Sequence, residues 1–204
     1  MPPKKPVKSQ GKAASLNIRI KLTGVTPLIC NRFYDEAAMA ASEGTRSAMG
    51  ARDRGSPYEI AEKKLYTGGN GTLIIPQPNL LRCLIDGGQY HKAGKSQITT
   101  QAKSMLFGVF DITEAEIPIL HEQTWTVDTR AVVIPATKGR ILTHRPMFHT
   151  WALVFTASLD TSVVPEKLMR AIVDDAGNRV GLGDFRPARK GPYGRFRVDA
   201  WSPQ

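Results

Sequence analysis

The sequence predicts an α+β fold: an antiparallel sheet of ferredoxin-like order with its helices on one face. Three observations carry this. In Leu16–Gly24 (LNIRIKLTG), apolar Leu16, Ile18, Ile20 and Leu22 alternate with Asn17, Arg19 and Lys21, the period of a half-buried strand. Helical stripes fall between strand candidates rather than in a block of their own. A well-signalled helix then stands directly before one last strand near the C-terminus.

The elements follow in order. After the first strand, VTPLICNRF (Val25–Phe33) gives a Pro-marked turn and a short apolar run. Residues 35–57 are rich in Ala, Gly, Ser and Arg without periodicity and read as a flexible insertion. YEIAEKKLY (Tyr58–Tyr66) reads as a short polar helix, stopped by Gly68–Gly71. Thr72–Ile75 is a buried strand, and Pro78 suits the first turn of the helix after it, where its missing N–H needs no partner. Leu80 with Leu84 and Leu81 with Ile85 form that helix's apolar stripe. A second helix is expected over Thr100–Phe107. Trp125–Ile134 and Trp151–Ser158 are the longest strand candidates and, being apolar on both faces in places, read as central. Pro165–Ala176 (PEKLMRAIVDDA) is a helix with Glu166 at its positive dipole end and Gly177 as terminator. Phe196–Trp201 closes the sheet. We therefore expect a basic tail over residues 1–15 and one domain over 16–204.

Composition narrows the function classes. The 204 residues carry 28 Lys and Arg against 18 Asp and Glu, a formal charge of +10, which favours polyanionic partners. Lys4, Lys5, Lys8 and Lys12 lie in a leader of disordered composition; without those four lysines +6 remains. Cys30 and Cys83 are far apart and in no C-x-x-C, which argues against a disulfide framework or zinc ribbon and for a reducing, cytoplasmic setting. No apolar run approaches the roughly 18 residues of a membrane span, so no membrane partner is expected.

Several motifs fail on spacing. GQYHKAGKS (Gly88–Ser96) ends like a phosphate loop, but five residues separate Gly88 from Gly94 where four are needed, and the segment follows a helix. Lys92 and Lys95 remain as loop cations. GLGDFR has Arg186 at the third glycine position of a dinucleotide fingerprint. His91, His121, His144 and His149 show no metal-ligand spacing, and no G-x-S-x-G elbow occurs. No cofactor, metal or catalytic constellation is expected.

Two basic stretches are left. VGLGDFRPARKGPYGRFRV (Val180–Val198) combines Gly181, Gly183, Gly191 and Gly194, able to turn main-chain N–H groups toward an anion, with Arg186, Arg189, Lys190, Arg195 and Arg197. Phe185 and Tyr193 offer ring faces for base stacking. The plainer alternative is a tight loop with solvated arginines and core-closing aromatics. KGRILTHRPMFHTW (Lys138–Trp151) brings Lys138, Arg140, His144 and Arg145 between the two long strands, as a hairpin tip or finger. If both stretches share one surface, they form an electropositive groove.

Three segments together resemble the repeat-associated mysterious protein (RAMP) superfamily, the RNA-recognition-motif-like subunits of CRISPR effector backbones. GLGDFRPARKGPYGRF is similar to its C-terminal glycine-rich loop, IPQPNLLR (Ile75–Arg82) to its I-P-G-S-S-L entry into a helix, and IRIKLTGVTPLI to its first strand and Thr-Pro-Leu turn. Gln77-Pro78-Asn79 departs from Gly-Ser-Ser, and the final loop is longer. Whole-chain texture also resembles uncharacterised proteins of tailed phages and prophages. The resemblance implies a modified ferredoxin-like fold, single-stranded nucleic acid as partner with RNA favoured, and side-by-side assembly on the strand; since the sequence shows no catalytic constellation, the favoured expectation is a non-catalytic binder. Two alternatives stay open: a phage structural or assembly protein meeting a phage or host protein, and a metal-independent endoribonuclease with His144 or His91 as general acid or base.

Overall fold

The computed structural model describes residues 15–33, 55–133 and 139–204. Nearly all of the basic tail, residues 35–54 of the expected insertion, and Lys138 lie outside the described residues. In chain order the strands are β1 (Ser15–Gly24), β2 (Leu28–Ile29), β3 (Ile74–Pro76), β4 (Lys92–Ala93), β5 (Ser96–Gln97), β6 (Phe110–Ile112), β7 (Glu116–Pro118), β8 (Thr126–Val133), β9 (Arg140–Phe148), β10 (Ala152–Asp160) and β11 (Phe196–Pro203). The α-helices are α1 (Pro57–Glu62), α2 (Gln77–Asp86) and α3 (Glu166–Asp175).

The main sheet runs β11-β1-β10-β6, every pairing antiparallel. With α2 between β1 and β6, and α3 between β10 and β11, this is the split βαβ arrangement of a ferredoxin-like fold. Alternation in the sequence explains why both helices lie on one face. Ile18, Ile20 and Leu22 of β1 and Leu153, Phe155, Ala157 and Leu159 of β10 are fully buried, in one cluster with Leu80 and Leu84 of α2 and Met169, Ile172 and Val173 of α3. Asn17 and Arg19 point from the opposite face and are exposed. Close approach of the two helices needs Gly87: a β-carbon there would lie 2.4 Å from the Ile172 carbonyl.

A second sheet, β2-β9-β8, sets β8 and β9 together as a long hairpin. Here three expectations are corrected. β8 is an edge strand, not a central one, because charged Asp128 and Arg130 interrupt its apolar pattern. The basic stretch before Trp151 is itself the middle strand β9. Thr100–Phe107 is not a helix: the Thr100 hydroxyl bonds the Lys103 carbonyl and amide, closing a turn, and only a short 3-10 turn follows at Leu106–Gly108.

Gly177 does not end the last helix. α3 runs on through a π-type turn, Ala176–Val180, and stops at Gly181, whose φ is +74°. Gly177 instead lets the chain pass β11, since a β-carbon there would lie 2.2 Å from the Phe196 carbonyl oxygen.

Candidate functional site

The glycine-rich segment leaves α3 and folds back onto β2. Asp184 N–H donates to the Ile29 carbonyl (2.8 Å), Gly194 N–H to that of Pro27 (2.8 Å), and Leu182 N–H to that of Gly194 (2.8 Å). Two glycines make this docking feasible. Gly183 (φ +78°) lies so close to β2 that a β-carbon would sit 2.4 Å from the Ile29 oxygen, and Gly194 (φ +69°) would place one 1.8 Å from the Leu182 oxygen. This corrects the expected anion nest. The amides of Leu182, Asp184, Gly191, Tyr193 and Gly194 already donate to carbonyls, and that of Phe185 to the Asp184 carboxylate, which leaves these six unavailable to an anion.

A buried ionic network fixes the loop against the hairpin. Arg145, only 4% exposed, donates to Asp128 (2.8 Å) and to Asp184 (2.8 Å). Asp128 also accepts from Arg130 (2.6 Å), and Asp184 from Asn31 (3.0 Å). The register explains the meeting. Asp128 and Arg145 are paired across β8 and β9, so their side chains share the face on which the loop lies. Arg145 is thus a buried strut, not the exposed phosphate contact that its basic surroundings suggested.

Arg130 extends the network to the expected stacking residues. Its guanidinium donates to the Tyr193 hydroxyl and lies 4.7 Å from the Tyr193 ring centroid and 5.7 Å from that of Phe185. The hydrogen bond to Asp128 raises the Arg130 pKa further above its ordinary value, so the cation is permanent. Phe185 and Tyr193, with centroids 6.0 Å apart, are half-buried and each carries this cation against its ring. They shape the loop. Phe185 does so at φ +49°, a strained value for a bulky residue.

Between the loop and α2 lies a cavity of about 280 Å³, bordered by Cys30 and Asn31 after β2, Tyr66, Ile75, Asn79, Arg82 and Cys83, and Gly181–Asp184 with Arg186. A neighbouring recess is lined by Arg82, Asp86, Gln89, Thr99, Thr100, Gln101, Arg186, Ala188 and Arg189. Arg82 and Arg186 line both, so the two hollows adjoin as a groove with these arginines between them. The Arg82 side chain is 65% exposed while bonding Asp86 at 2.9 Å, and Arg186 donates to the Gly183 carbonyl at 2.9 Å. Asn79 stands in the first turn of α2, at the positive end of the helix dipole. The cavity floor is apolar in character: burial pushes the Cys30 and Cys83 thiols up to about 12, and Cys83 Sγ donates to the Gly181 carbonyl.

Of the residues expected from sequence, Gly181, Gly183, Arg186 and Arg189 meet at this groove. Lys190 and Arg195 are exposed beside the loop but outside both linings, as is Arg140 on β9. His144 bonds Thr129 (2.8 Å), its partner across the hairpin, on the face opposite Arg145. His91 pairs with Asp175 of α3 at 2.9 Å. Neither histidine lines the groove.

Sequence reasoning missed Asn31, Tyr66, Asn79, Arg82, Asp128, Arg130 and Asp184. A usable signal existed for two of them: Asp128 and Arg130, two apart on a strand otherwise read as core, require a buried partner. Among the described residues no His, Cys, Asp or Glu cluster is suited to a metal, and no helix is long and apolar enough to cross a membrane.

The architecture is that of a modified ferredoxin-like α+β protein, as the strand and helix pattern predicts. No protein-family model matches the chain, and no curated protein does. Among solved structures it is similar to a chain in the cryo-EM structure of the Type III-B Cmr-beta bound to cognate target RNA. The TM-score is 0.54 at 10% identity, over 93% of this chain. This chain spans 60% of the length of that one, and the likeness is one of fold.

Proposed function

We propose that this protein binds a single strand of nucleic acid, RNA for preference, by its sugar-phosphate backbone in the groove between α2 and the glycine-rich loop, without cleaving it. One observation carries the reading: Arg82 and Arg186 line both of two adjoining hollows, with Arg189 on the second, and Arg145 ties the loop wall to the hairpin through Asp128 and Asp184. Arginine suits this task because its planar fork matches phosphate oxygens and stays charged. Overall charge and a structural neighbour from a complex bound to target RNA support the same reading. Exposed Val133 and Leu142, 54% and 59% accessible on one face of the hairpin, give neighbouring copies an apolar contact for assembly along the strand.

Anisotropy of a fluorescein-labelled, unstructured RNA 20-mer across a potassium chloride series tests it. Affinity should fall with salt at a slope near 0.7 per neutralised phosphate, and an Arg82→Ala/Arg186→Ala/Arg189→Ala variant should lose about two units of slope. The RNA should remain intact. A salt-insensitive affinity, or a folded triple variant that binds as the parent does, overturns the proposal.

A further inference from the structure

We infer that the cavity at the head of the groove takes one unpaired nucleobase of the bound strand, with Arg82 and Arg186 on the phosphate next to it; this rests on the strand-binding reading above. Size comes first. At about 280 Å³ the hollow lies just below the range of roughly 300–1,000 Å³ that takes drug-sized ligands, which is room enough for a base.

The lining comes second. A base presents flat apolar faces and a polar edge, and the cavity offers both. Ile75, Leu182 and the two protonated thiols give an apolar floor, and Tyr66 supplies an aromatic ring. Among the described residues, the Asn79 amide and the Tyr66 hydroxyl form no hydrogen bond within the fold, whereas Asn31 and Asp184 are bound to each other. Two unspent polar groups beside the apolar floor match the edge of a heterocycle. Arg82 and Arg186 stand at the junction with the neighbouring recess, where the backbone of an inserted nucleotide must turn in and out. A hydrogen-bonded loop wall keeps the shape: Asp184 accepts from Arg145, Asn31 and the Phe185 amide.

The test compares an RNA decamer with a fully abasic ribose-phosphate decamer of equal length and charge, by anisotropy at several salt concentrations. The parent protein should bind the base-bearing strand about tenfold more tightly, with equal salt slopes for the two. Asn79→Trp, at an exposed first-turn position where the fold tolerates bulk, should remove that preference. Tyr66→Ala, checked for fold by circular dichroism, should do the same. Equal affinity of the parent for both strands overturns the base pocket while leaving backbone binding intact. Absence of binding to either strand removes both readings. Displacement of the strand by micromolar uridine or adenosine monophosphate assigns the cavity to a free nucleotide and overturns the strand assignment.

Discussion

Replacing Arg145 with alanine removes one guanidinium from between two carboxylates and leaves Asp128, 5% exposed, with half of its partners. Truncating one member of a buried ion pair destabilises by about 3–5 kcal/mol, because the orphaned charge stays buried. The lower end applies, since Asp128 keeps Arg130 at 2.6 Å and Asp184 keeps Asn31 at 3.0 Å. A loss of about 3 kcal/mol, with an m value near 2 kcal/mol per molar, moves the urea midpoint down by about 1.5 M. Tryptophan fluorescence reads the transition through Trp125 and Trp151, which are both buried. The control is Arg145→Met combined with Asp128→Asn: it removes both buried charges while keeping volume, and should recover at least half of the loss. A midpoint shift under about 0.5 M for Arg145→Ala would place the pair among surface-like interactions and refute the account of the loop's rigidity.

Two further outcomes are expected. Gly183→Ala combines a positive φ with a β-carbon 2.4 Å from the Ile29 oxygen, so stability should drop by about 2–4 kcal/mol in the same urea assay, and RNA affinity should fall with it. Cys30 and Cys83 should resist a thiol-specific dye at pH 8 in the native protein and both react in denaturant. Their raised folded pKa of about 12 also contributes stability below the ordinary thiol range that is lost as pH rises from about 9 toward 12, which a urea midpoint series over that span measures.

Local periodicity made much of the main sheet legible. The alternation of Leu16 to Leu22 and the paired leucines of α2 and α3 report burial directly, because side-chain direction in a strand or helix depends only on position along the element. Residues whose role depends on distant pairing were not legible in that way. Arg145 reads as one more cation in a basic stretch until the register sets it opposite Asp128 and the loop brings Asp184 to its other side. Nothing local in IPQPNLLR marks Arg82 as a groove residue, and its place there follows only from where the loop docks. The glycines do sit at close approaches, but the neighbour is β2 for Gly183 and the loop's own chain for Gly181, Gly191 and Gly194. Thr100–Phe107 misled for a local reason, a threonine hydroxyl competing with the helix for backbone groups.

Strand β1 lies between β10 and β11, the last two strands of the main sheet to be made. During translation its edges therefore stay bare until more than a hundred further residues have left the ribosome, and neither the sheet nor the wall that β2 shares with the glycine-rich loop closes before then. Such a topology folds slowly and late. A chain that ends before Ala152 lacks both strands that pair with β1, and leaves the Ile18-Ile20-Leu22 face without the β10 half of its core.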